Sequence, residues 1–375
     1  MELHYLCEKV RNEKVRNMGN PFKFGTVVDG EFFTDRTEEL KYVHQVLNSE
    51  NHLVLISPRR FGKTSLVHKA ALETGRQILF LNLEAVTDKR DFALALLKRL
   101  FRLYPMEHVK HLMKNFRFVP TLSTTPTGDS IDISFIPQVD SNVVLEDVMT
   151  LMDRASNKDK RLIVVLDEFQ EVNEIEKKMD RQLRAIMQLQ SNINYVLLGS
   201  QGSMMREIFE HKKSPFYHFG TVMTLGKIPY DDFSSYISQR LSRLGEGDRT
   251  TITSRILAFT DCHPYYTQML AFHVWNLLEE GYSGTDIVEH AIASSNDIHD
   301  MDYERLWAGM NKTDKKVIRF ISKNTTSPLA SSEIGIPSST IFSSLKRLTR
   351  SGYVIKDDKY RIDDPFFAKW IEVKM

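Results

Sequence analysis

The sequence has few of the features that mark secreted, membrane and disulfide-rich proteins. Its 375 residues include two cysteines, Cys7 and Cys262, whose separation fits neither a disulfide framework nor a zinc site. The longest aliphatic run, LIVVL at 162–166, is far too short for a membrane span, and the charged N-terminus has no apolar core of signal-peptide length. These absences predict a soluble, cytoplasmic protein that does not enter a membrane.

An excess of charge of one sign is also absent. The chain has 50 basic and 49 acidic side chains, a formal net charge of +1, so its overall electrostatics indicate no particular partner. The lack of repeats and low-complexity tracts excludes solenoid and fibrous architectures. His108 and His111 have helical spacing, but no third ligand lies near them in the sequence. We therefore expect no histidine-rich metal site.

Strand-like and helix-like segments alternate through the first 228 residues. The buried-strand patterns are HLVLIS, QILFLNLE, RLIVVLDE, INYVLLGS and TVMTLGKI, and amphipathic segments separate them. This alternation predicts a mostly parallel α/β sheet. We expect an N-terminal arm over 1–20 and a core over 21–228. Within the core, the Thr-, Ser- and Pro-rich stretch 117–142 predicts an excursion that contains a hairpin.

Helical periodicity dominates after residue 228. Breaks near 245, 262 and 281–284 predict a bundle of about four helices over 229–308. From 309 to 375, the order of helix, short helix, helix and two strands is typical of a winged helix-turn-helix. The chain is therefore predicted to be multidomain, with two smaller modules after its α/β core.

The segment ISPRRFGKTSL at 56–66 is nearly a phosphate-binding loop of the form G-x-x-x-x-G-K-S/T, with a serine at the first glycine position. In such loops the backbone N–H groups wrap the phosphates, the lysine reaches the outer ones and the hydroxyl binds Mg²⁺. ATP or ADP with Mg²⁺ are the predicted cofactors. We expect the serine to be tolerated, because the missing glycine contributes turn geometry. The predicted nucleotide-binding residues of the loop are Ser57, Pro58, Arg59, Arg60, Phe61, Gly62, Lys63, Thr64 and Ser65.

An acidic motif later in the chain supports the prediction of a nucleotide site. In LIVVLDEFQ an aliphatic strand ends at Asp167 and Glu168, so one carboxylate can meet Mg²⁺ with Thr64 while the other meets the attacking water. A Gly-Lys-Thr loop often arises by chance, and an isolated Asp-Glu pair at a strand end is usually a solvated turn, so the prediction depends on their combination. The predicted catalytic residues are Glu168 and Lys63, and the predicted metal ligands are Thr64 and Asp167.

Two further features refine the predicted site. The strand signal QILFLNLE lies between the loop and Asp167, which predicts that the Asp strand is not adjacent to the loop strand. The strand that ends in LLGSQGSMM offers Ser200 or Gln201 as a polar group beside the γ-phosphate, with a simple turn as the competing interpretation. We take Ser200 as the third catalytic candidate.

These segments together resemble the archaeal-type ATPase family within the AAA+ and STAND classes of P-loop NTPases. The resemblance extends over most of the chain and rests on FFTDRTEEL, SPRRFGKTSL, VVLDEFQE, LLGS, DCHPYYTQMLA and YRIDDPFFAKWI. It implies an α/β fold: a P-loop NTPase core with a parallel sheet, an α-helical lid over 229–308 and a C-terminal winged helix-turn-helix over 309–375.

The resemblance also implies further nucleotide contacts. The lid would roof the ATP site, with Asp35 and Arg36 near the adenine end and Pro264 in the position of the family's lid proline. Without the family, the His263-Pro264 pair would indicate an ordinary helix N-terminus. Arg59 and Arg60 match the family's loop, where they could sense phosphate, pair with a carboxylate or lie exposed in solvent.

One departure from the family concerns assembly. After SPFY at 214–217 many relatives have an arginine that could act on a neighbour's nucleotide, whereas HFG follows here. His218 cannot replace a permanently charged guanidinium. Arg206 is the nearest alternative, and the oligomeric state stays open.

Three functions are compatible with these motifs. The first is an Mg²⁺-dependent ATPase that acts as a molecular switch, coupling nucleotide state to movement of the lid and winged helix toward a protein client. The second is an ATP-regulated DNA-binding protein, and the third is a nucleotide-binding scaffold with little turnover. Winged helices often dock proteins instead of DNA. Residues of the third winged-helix element predicted to be exposed toward DNA are Ser338, Ser339, Ser343, Ser344, Lys346, Arg347 and Arg350.

Overall fold

The chain folds into two compact units. The computed structural model describes residues 19–34, 36–115, 117, 121–124, 131–134, 140–324, 327–330, 334–356 and 359–375. The α/β unit comprises Arg36–Gly226, and the helical unit comprises Met1–Asp35 together with Lys227–Met375. In the described part of the chain, no helix combines the length and apolar character needed to cross a membrane.

The α/β unit is built on a five-stranded parallel sheet. The two longest strands are buried at every position, as expected when helices cover both faces of a parallel sheet. A separate antiparallel pair forms the hairpin predicted within 117–142. The sheet strands are β1 (Leu53–Ile56), β2 (Ile78–Asn82), β5 (Leu162–Asp167), β6 (Ile193–Gly199) and β7 (Thr221–Thr224), and the hairpin strands are β3 (Thr121–Thr124) and β4 (Ile131–Ser134).

The order of the strands confirms the predicted separation of the loop strand from the Asp strand. Across the sheet the order is β2-β5-β6-β1-β7, so β6 lies between β5 and β1. Leu166 of β5 pairs with Leu197 of β6, and Ile56 of β1 pairs with Gly199. The carboxyl ends of these three strands therefore meet at one edge, where ligands bind in open α/β sheets.

Helices cover the sheet because each has an apolar stripe. In the third helix, Phe92, Leu96 and Leu100 recur at four-residue intervals and are buried, while Asp88 caps its first turn by accepting from Asp91 N–H. The helices of this unit are α1 (Thr37–Leu47), α2 (Lys63–Glu73), α3 (Lys89–Leu103), α4 (Met106–Leu112), α5 (Ser141–Ala155), α6 (Val172–Ile175), α7 (Met179–Met187) and α8 (Gly202–Phe209).

One predicted helix of this unit differs from the structure. We expected a single helix around 174–191, but the chain forms α6 and α7 there. Lys178 has a left-handed backbone, with φ of 68°, and precedes the first residue of α7. A left-handed residue interrupts the helical hydrogen-bond ladder, and its side chain gives no sequence signal for the break.

The helical unit begins with more helices than predicted. Residues 229–309, all described, contain five helices where we expected about four. The additional break falls at His299, between two segments whose periodicity looked continuous. The helices are α9 (Tyr230–Arg240), α10 (Glu246–Thr260), α11 (Pro264–Glu279), α12 (Ile287–Ile298) and α13 (Asp300–Gly309).

The segment 21–34 belongs to the helical unit, which corrects its predicted place in the α/β core. Phe22 is 2% exposed and packs edge-on against Tyr236 and Trp275. Asn20 fixes the same segment by donating to the carbonyl of Phe272 at 2.9 Å and to the Asn276 amide oxygen at 2.7 Å. The segment therefore fills part of the helical core, an outcome set by contacts more than 200 residues away in sequence.

The C-terminal part of the helical unit shares its core with the bundle. Trp370 is 1% exposed, contacts the ring of Tyr303 and donates its indole N–H to Asp300 at 2.6 Å. The predicted boundary at 308/309 and the winged-helix assignment stay predictions, and most of the expected short second helix lies outside the described residues. The elements are α14 (Lys312–Lys323), α15 (Ser338–Arg350), β8 (Val354–Lys356), β9 (Tyr360–Ile362), antiparallel to β8, and α16 (Pro365–Lys374).

The exposed face of α15 differs from the predicted one at two positions. Ser344 is fully buried and donates to Asp314, so the prediction that it is exposed was wrong. Arg347 is half-exposed, but its guanidinium pairs with the same carboxylate at 2.7 Å. Lys346 and Arg350 are exposed. Phe342, which precedes both in α15, is 57% exposed.

The buried His52 predicts a pH dependence of stability. Its ring stacks on Phe219, with centroids 4.4 Å apart, and Nδ1 accepts from Tyr195 N–H. Burial and two nearby arginines lower the pKa of His52 from 6.5 to about 4. The unfolded chain therefore binds a proton that the folded chain excludes between these values, so stability falls as pH decreases through this window, by about 2 kcal/mol at pH 5.

Denaturant unfolding at pH 7 and pH 5 measures this effect. His52→Gln keeps an acceptor but cannot titrate, so it is expected to lose less unfolding free energy than the wild type over this range. His108→Gln, at an exposed position, is the matched control. An equal loss in the wild type and His52→Gln would contradict the prediction.

Candidate active site

The predicted phosphate loop connects β1 to α2. Ser57 is fully buried, its N–H donates to Gly199 O at 3.1 Å, and its backbone does not adopt a positive φ. A glycine is therefore not required by backbone conformation at this position. Gly62, by contrast, has φ of 88° and is the residue before α2, where a side chain would be strained. Arg60 is also left-handed, with φ of 66°.

The N-terminus of α2 has the form of an anion site. Gly62 is its N-cap and has no side chain with which to accept hydrogen bonds from the first-turn N–H groups. The helix spans 11 residues, and its positive dipole end adds to these donors. Lys63 and Ser65 are buried in this first turn, while Thr64 is half-buried.

Lys63 joins the loop to the acidic end of β5. Its Nζ lies 2.7 Å from Glu168 Oε1 and 3.5 Å from Asp167 Oδ1, and all three residues are at most 7% exposed. Thr64 Oγ1 donates to Asp167 Oδ2 at 3.0 Å. The structure thus brings together the four residues predicted for phosphate, metal and water activation, although 103 residues separate Thr64 from Asp167.

Glu168 is held by several donors in addition to Lys63. Its Oε2 accepts from Ser200 Oγ at 2.6 Å, from Ser200 N–H at 3.2 Å and from Gln170 Nε2 at 2.6 Å. Burial favours the neutral carboxyl, but these hydrogen bonds and the lysine outweigh it, and the pKa of Glu168 lies below its ordinary value. The site therefore holds Glu168 as a carboxylate.

The backbone of Glu168 is unusual for a glutamate. It is left-handed, with φ of 54° and ψ of 48°, and its N–H donates to Asp167 Oδ1 at 2.9 Å. Such a conformation costs a non-glycine residue about 1 kcal/mol or more and persists where the surrounding contacts determine it. It turns the chain out of β5 and directs the Glu168 side chain toward Lys63.

Arg36 lies against the phosphate loop. Its guanidinium is buried and donates to the carbonyls of Phe61, at 3.2 Å, and Gly226, at 2.8 Å, and it pairs with Glu39 at 2.9 Å. The side chain thus fixes the loop backbone. Its predicted contact with the nucleotide stays a prediction.

Three other residues were predicted to contact the nucleotide: Arg59, Pro264 and Asp35. Arg59 is 64% exposed and forms an ion pair with Glu84, one of the alternatives left open by the sequence. Pro264 is the first residue of α11, and His263 Nδ1 accepts from the N–H groups of Tyr265 and Tyr266, as at an ordinary helix N-terminus. Asp35 lies outside the described residues. The role of Pro264 at the nucleotide stays a prediction.

The oxygen atoms at the loop fit a hard divalent cation. Thr64 Oγ1 and Asp167 Oδ2 approach within 3.0 Å, and a hydroxyl and a carboxylate are ligands that Mg²⁺ takes together with water and phosphate oxygens. Within the described ranges, no group of three or more His, Cys, Asp and Glu side chains could hold a metal ion by itself. A cation here would therefore need ligands from the nucleotide or from water.

Gln170 was not predicted from the sequence. It is 2% exposed and contacts Glu168 from the 3₁₀ turn Phe169–Glu171. Its position two residues after the Asp-Glu pair was visible in LIVVLDEFQ, but its direction depends on the left-handed turn at Glu168.

Arg206, the nearest alternative to the arginine that many relatives have after SPFY, is exposed on α8. His218 is left-handed, with φ of 55°.

The strand order, the loop and the residues around Lys63 define a P-loop NTPase fold. Neither the family models nor the curated sequences include a match to this chain. Among solved structures, the chain is similar to the Walker-type ATPase of Pyrococcus abyssi, with a TM-score of 0.63 and 16% identity over 92% of this chain and 97% of that one. The chain thus shares the fold of that protein.

Two ORC proteins of Aeropyrum pernix are also similar to this chain in fold. The ORC2 protein, solved with ADPNP and ADP, matches with a TM-score of 0.53 and 15% identity over 94% of this chain and 99% of that one. The ORC1 protein, solved in complex with DNA, matches with a TM-score of 0.50 and 13% identity over 92% and 93%. At these identities the comparisons establish the fold, and the chemistry must be argued from the site.

The Lys63–Glu168 pair predicts a strong coupling in the free energy of unfolding. Lys63→Met leaves buried carboxylates without their cation and is expected to destabilise the protein by about 3 kcal/mol. Adding Glu168→Gln should recover most of this loss, because the uncompensated charge is removed. Urea denaturation of the wild type, both single variants and the double variant measures the coupling.

Lys69→Met is a matched control on the same helix. Lys69 pairs with Glu73 at 2.8 Å, but both side chains are partly exposed, so the change is expected to cost less than about 1 kcal/mol. Additive effects of Lys63→Met and Glu168→Gln would contradict the ion pair.

Proposed function

We propose that the protein is an Mg²⁺-dependent ATPase that works as a nucleotide-controlled switch. The observation that carries this proposal is the convergence of Lys63, Thr64, Asp167 and Glu168 at the open N-terminus of α2. Phosphoryl transfer to water needs an anion site, a lysine, two oxygen atoms that can bind a cation, and a carboxylate fixed in position. A cytoplasmic location belongs to the same proposal and is supported by the low cysteine content.

Each of these groups has one role in the proposed reaction. The loop N–H groups and Lys63 bind the phosphates, and in this proposal Lys63 moves from Glu168 to the phosphate. Thr64 and Asp167 would hold Mg²⁺, which would offset the negative charge of the phosphates. Glu168 takes a proton from the attacking water. Ser200 keeps Glu168 in place and, at the end of β6, lies where it could sense the γ-phosphate.

The switch component rests on the contacts of Arg36. This side chain bonds the carbonyl of Phe61 in the loop and that of Gly226, the last residue of the α/β unit. The next residue, Lys227, begins the helical unit. A change in the loop when nucleotide binds would therefore act on the chain segment that leads into the helical unit. Lid movement, winged-helix movement and a protein client are parts of this proposal.

ATP-regulated DNA binding is the second candidate, and one observation favours it. The helix α15 contains no acidic residue, and its exposed face carries Lys346, Arg350 and the 57% exposed Phe342. The two cations could contact DNA phosphates, and the exposed ring beside them could contact apolar groups at the edges of bases. The similar ORC1 protein was solved with DNA. A scaffold with little turnover is the remaining alternative.

Turnover is expected to depend on both Lys63 and Glu168. Glu168→Gln keeps the loop and the cation ligands but removes the proton acceptor, so kcat should fall on the order of 10²- to 10⁴-fold while ATP still binds. Lys63→Ala should abolish ATP binding at ATP concentrations that saturate the wild type. Phosphate release with Mg²⁺ and labelled-ATP binding measure the two effects.

The outcomes separate the candidates. If ATP binds but there is no Lys63-dependent turnover, the nucleotide-binding scaffold would be the candidate that remains. No Lys63-dependent binding would overturn the nucleotide assignment. Unchanged turnover in Glu168→Gln would reject Glu168 as the proton acceptor.

Duplex DNA tests the second candidate. Lys346→Ala with Arg350→Ala should weaken binding and reduce its dependence on salt, by about one unit of slope for each phosphate contact removed. Arg347→Ala is expected to have a smaller effect, because its guanidinium is paired with Asp314. Binding measured by fluorescence anisotropy between about 50 and 200 mM salt gives the slopes, because the logarithm of the binding constant falls linearly with the logarithm of salt concentration. Equal slopes for the wild type and the double variant would reject α15 as the DNA contact.

A further inference from the structure

Gln170 is a buried polar residue beside the reacting carboxylate. It is 2% exposed, and its Nε2 lies 2.6 Å from Glu168 Oε2. An ionised carboxylate only accepts hydrogen bonds, so the amide must present its NH₂ group to Glu168. Its amide oxygen has no hydrogen-bond partner among the residues that the structure describes. A buried glutamine that leaves one end unsatisfied is costly, which indicates a use for the end that faces Glu168.

The two oxygens of Glu168 have different partners. Oε2 accepts from Gln170 and from both the hydroxyl and the N–H of Ser200, which fills its capacity to accept. Oε1 accepts from Lys63 at 2.7 Å. When Lys63 turns to phosphate, Oε1 loses its partner while Oε2 keeps three. The carboxylate is thus held at one oxygen and becomes free to accept a proton at the other.

The position of Gln170 is itself fixed by packing. It follows Phe169, which is fully buried against the rings of Phe209 and Phe216, at centroid distances of 5.6 and 5.1 Å. The Gln170 amide also lies beside Gly199, where an added Cβ would come within 2.6 Å of Gln170 Oε1. The glycine leaves room for the amide at the end of β6. The packing of Phe169 thus fixes the backbone next to Gln170, and Gly199 provides the space that its side chain occupies.

We propose that Gln170 is a positioning residue for ATP hydrolysis, which holds Glu168 by Oε2 so that Oε1 faces the attacking water. This inference rests on the proposed ATPase function. In the step that it serves, the water oxygen bonds to the γ-phosphorus and the bond from phosphorus to the ADP oxygen breaks. Glu168 Oε1 takes the water proton, and ADP and phosphate leave. Gln170 touches neither water nor nucleotide.

Gln170→Met tests this role, because methionine has a similar length and volume but cannot donate. ATP affinity should change little, since the loop and Lys63 are intact, while kcat should fall on the order of 10- to 100-fold from loss of orientation. In a Glu168→Gln background the same change should have no further effect on the single-turnover rate. Such non-additivity is expected only if Gln170 acts through the Glu168 carboxylate.

Gln190→Met is the matched control for loss of a half-buried glutamine. Gln190 bonds the carbonyl of Met149 and the Tyr195 hydroxyl, away from the Asp-Glu pair, so its change should lower thermal stability but leave kcat unaltered. If Gln170→Met keeps the wild-type kcat, or slows Glu168→Gln by the same factor as the wild type, the inference is overturned. If the wild type itself shows no Lys63-dependent turnover, the proposed function fails, and the inference fails with it.

Discussion

The buried ion pair between Lys63 and Glu168 is the interaction on which the site depends. Two opposite charges with little exposure are stable there because each satisfies the other and because Ser200 and Gln170 complete the hydrogen bonding of the carboxylate. The same pair occupies the lysine that an anion at α2 would need. In the proposed ATPase, a phosphate group would compete with Glu168 for Lys63, and its binding would change the surroundings of the carboxylate.

The sheet makes this competition possible. Strand β6 separates β1 from β5, so the loop and the Asp-Glu pair face each other across the end of an intervening strand instead of lying on neighbouring strands. That strand ends at Gly199 and Ser200, which supply the space and the hydroxyl that the carboxylate uses. Arg36 joins the carbonyl of Phe61 in the loop to that of Gly226, the last residue of the α/β unit, and the proposed switch would act through this contact.

The parts of this arrangement that depend on local patterns could be predicted from the sequence. Apolar runs and the Gly-Lys-Thr loop indicated the strands and the anion site, and the strand between the loop and Asp167 indicated the sheet order. The periodicity of α15 also contained the information that Ser344 lies on the buried face, because it is three residues from Ile341. The contact of Gln170 with Glu168 could not be predicted, because it depends on a left-handed glutamate. Neither could the packing of Phe22, which depends on rings far away in sequence.

The affinity of ATP for the wild type and for Glu168→Gln, measured by titration calorimetry with Mg²⁺, tests the central claim most directly. If phosphate and Glu168 compete for Lys63, removing the charge of Glu168 frees the lysine, and ATP should bind more tightly to the variant than to the wild type. Lys63→Met should bind weakly whether or not Glu168 is changed. Equal or weaker binding of ATP by Glu168→Gln would contradict the claim that this ion pair sets the state of the site.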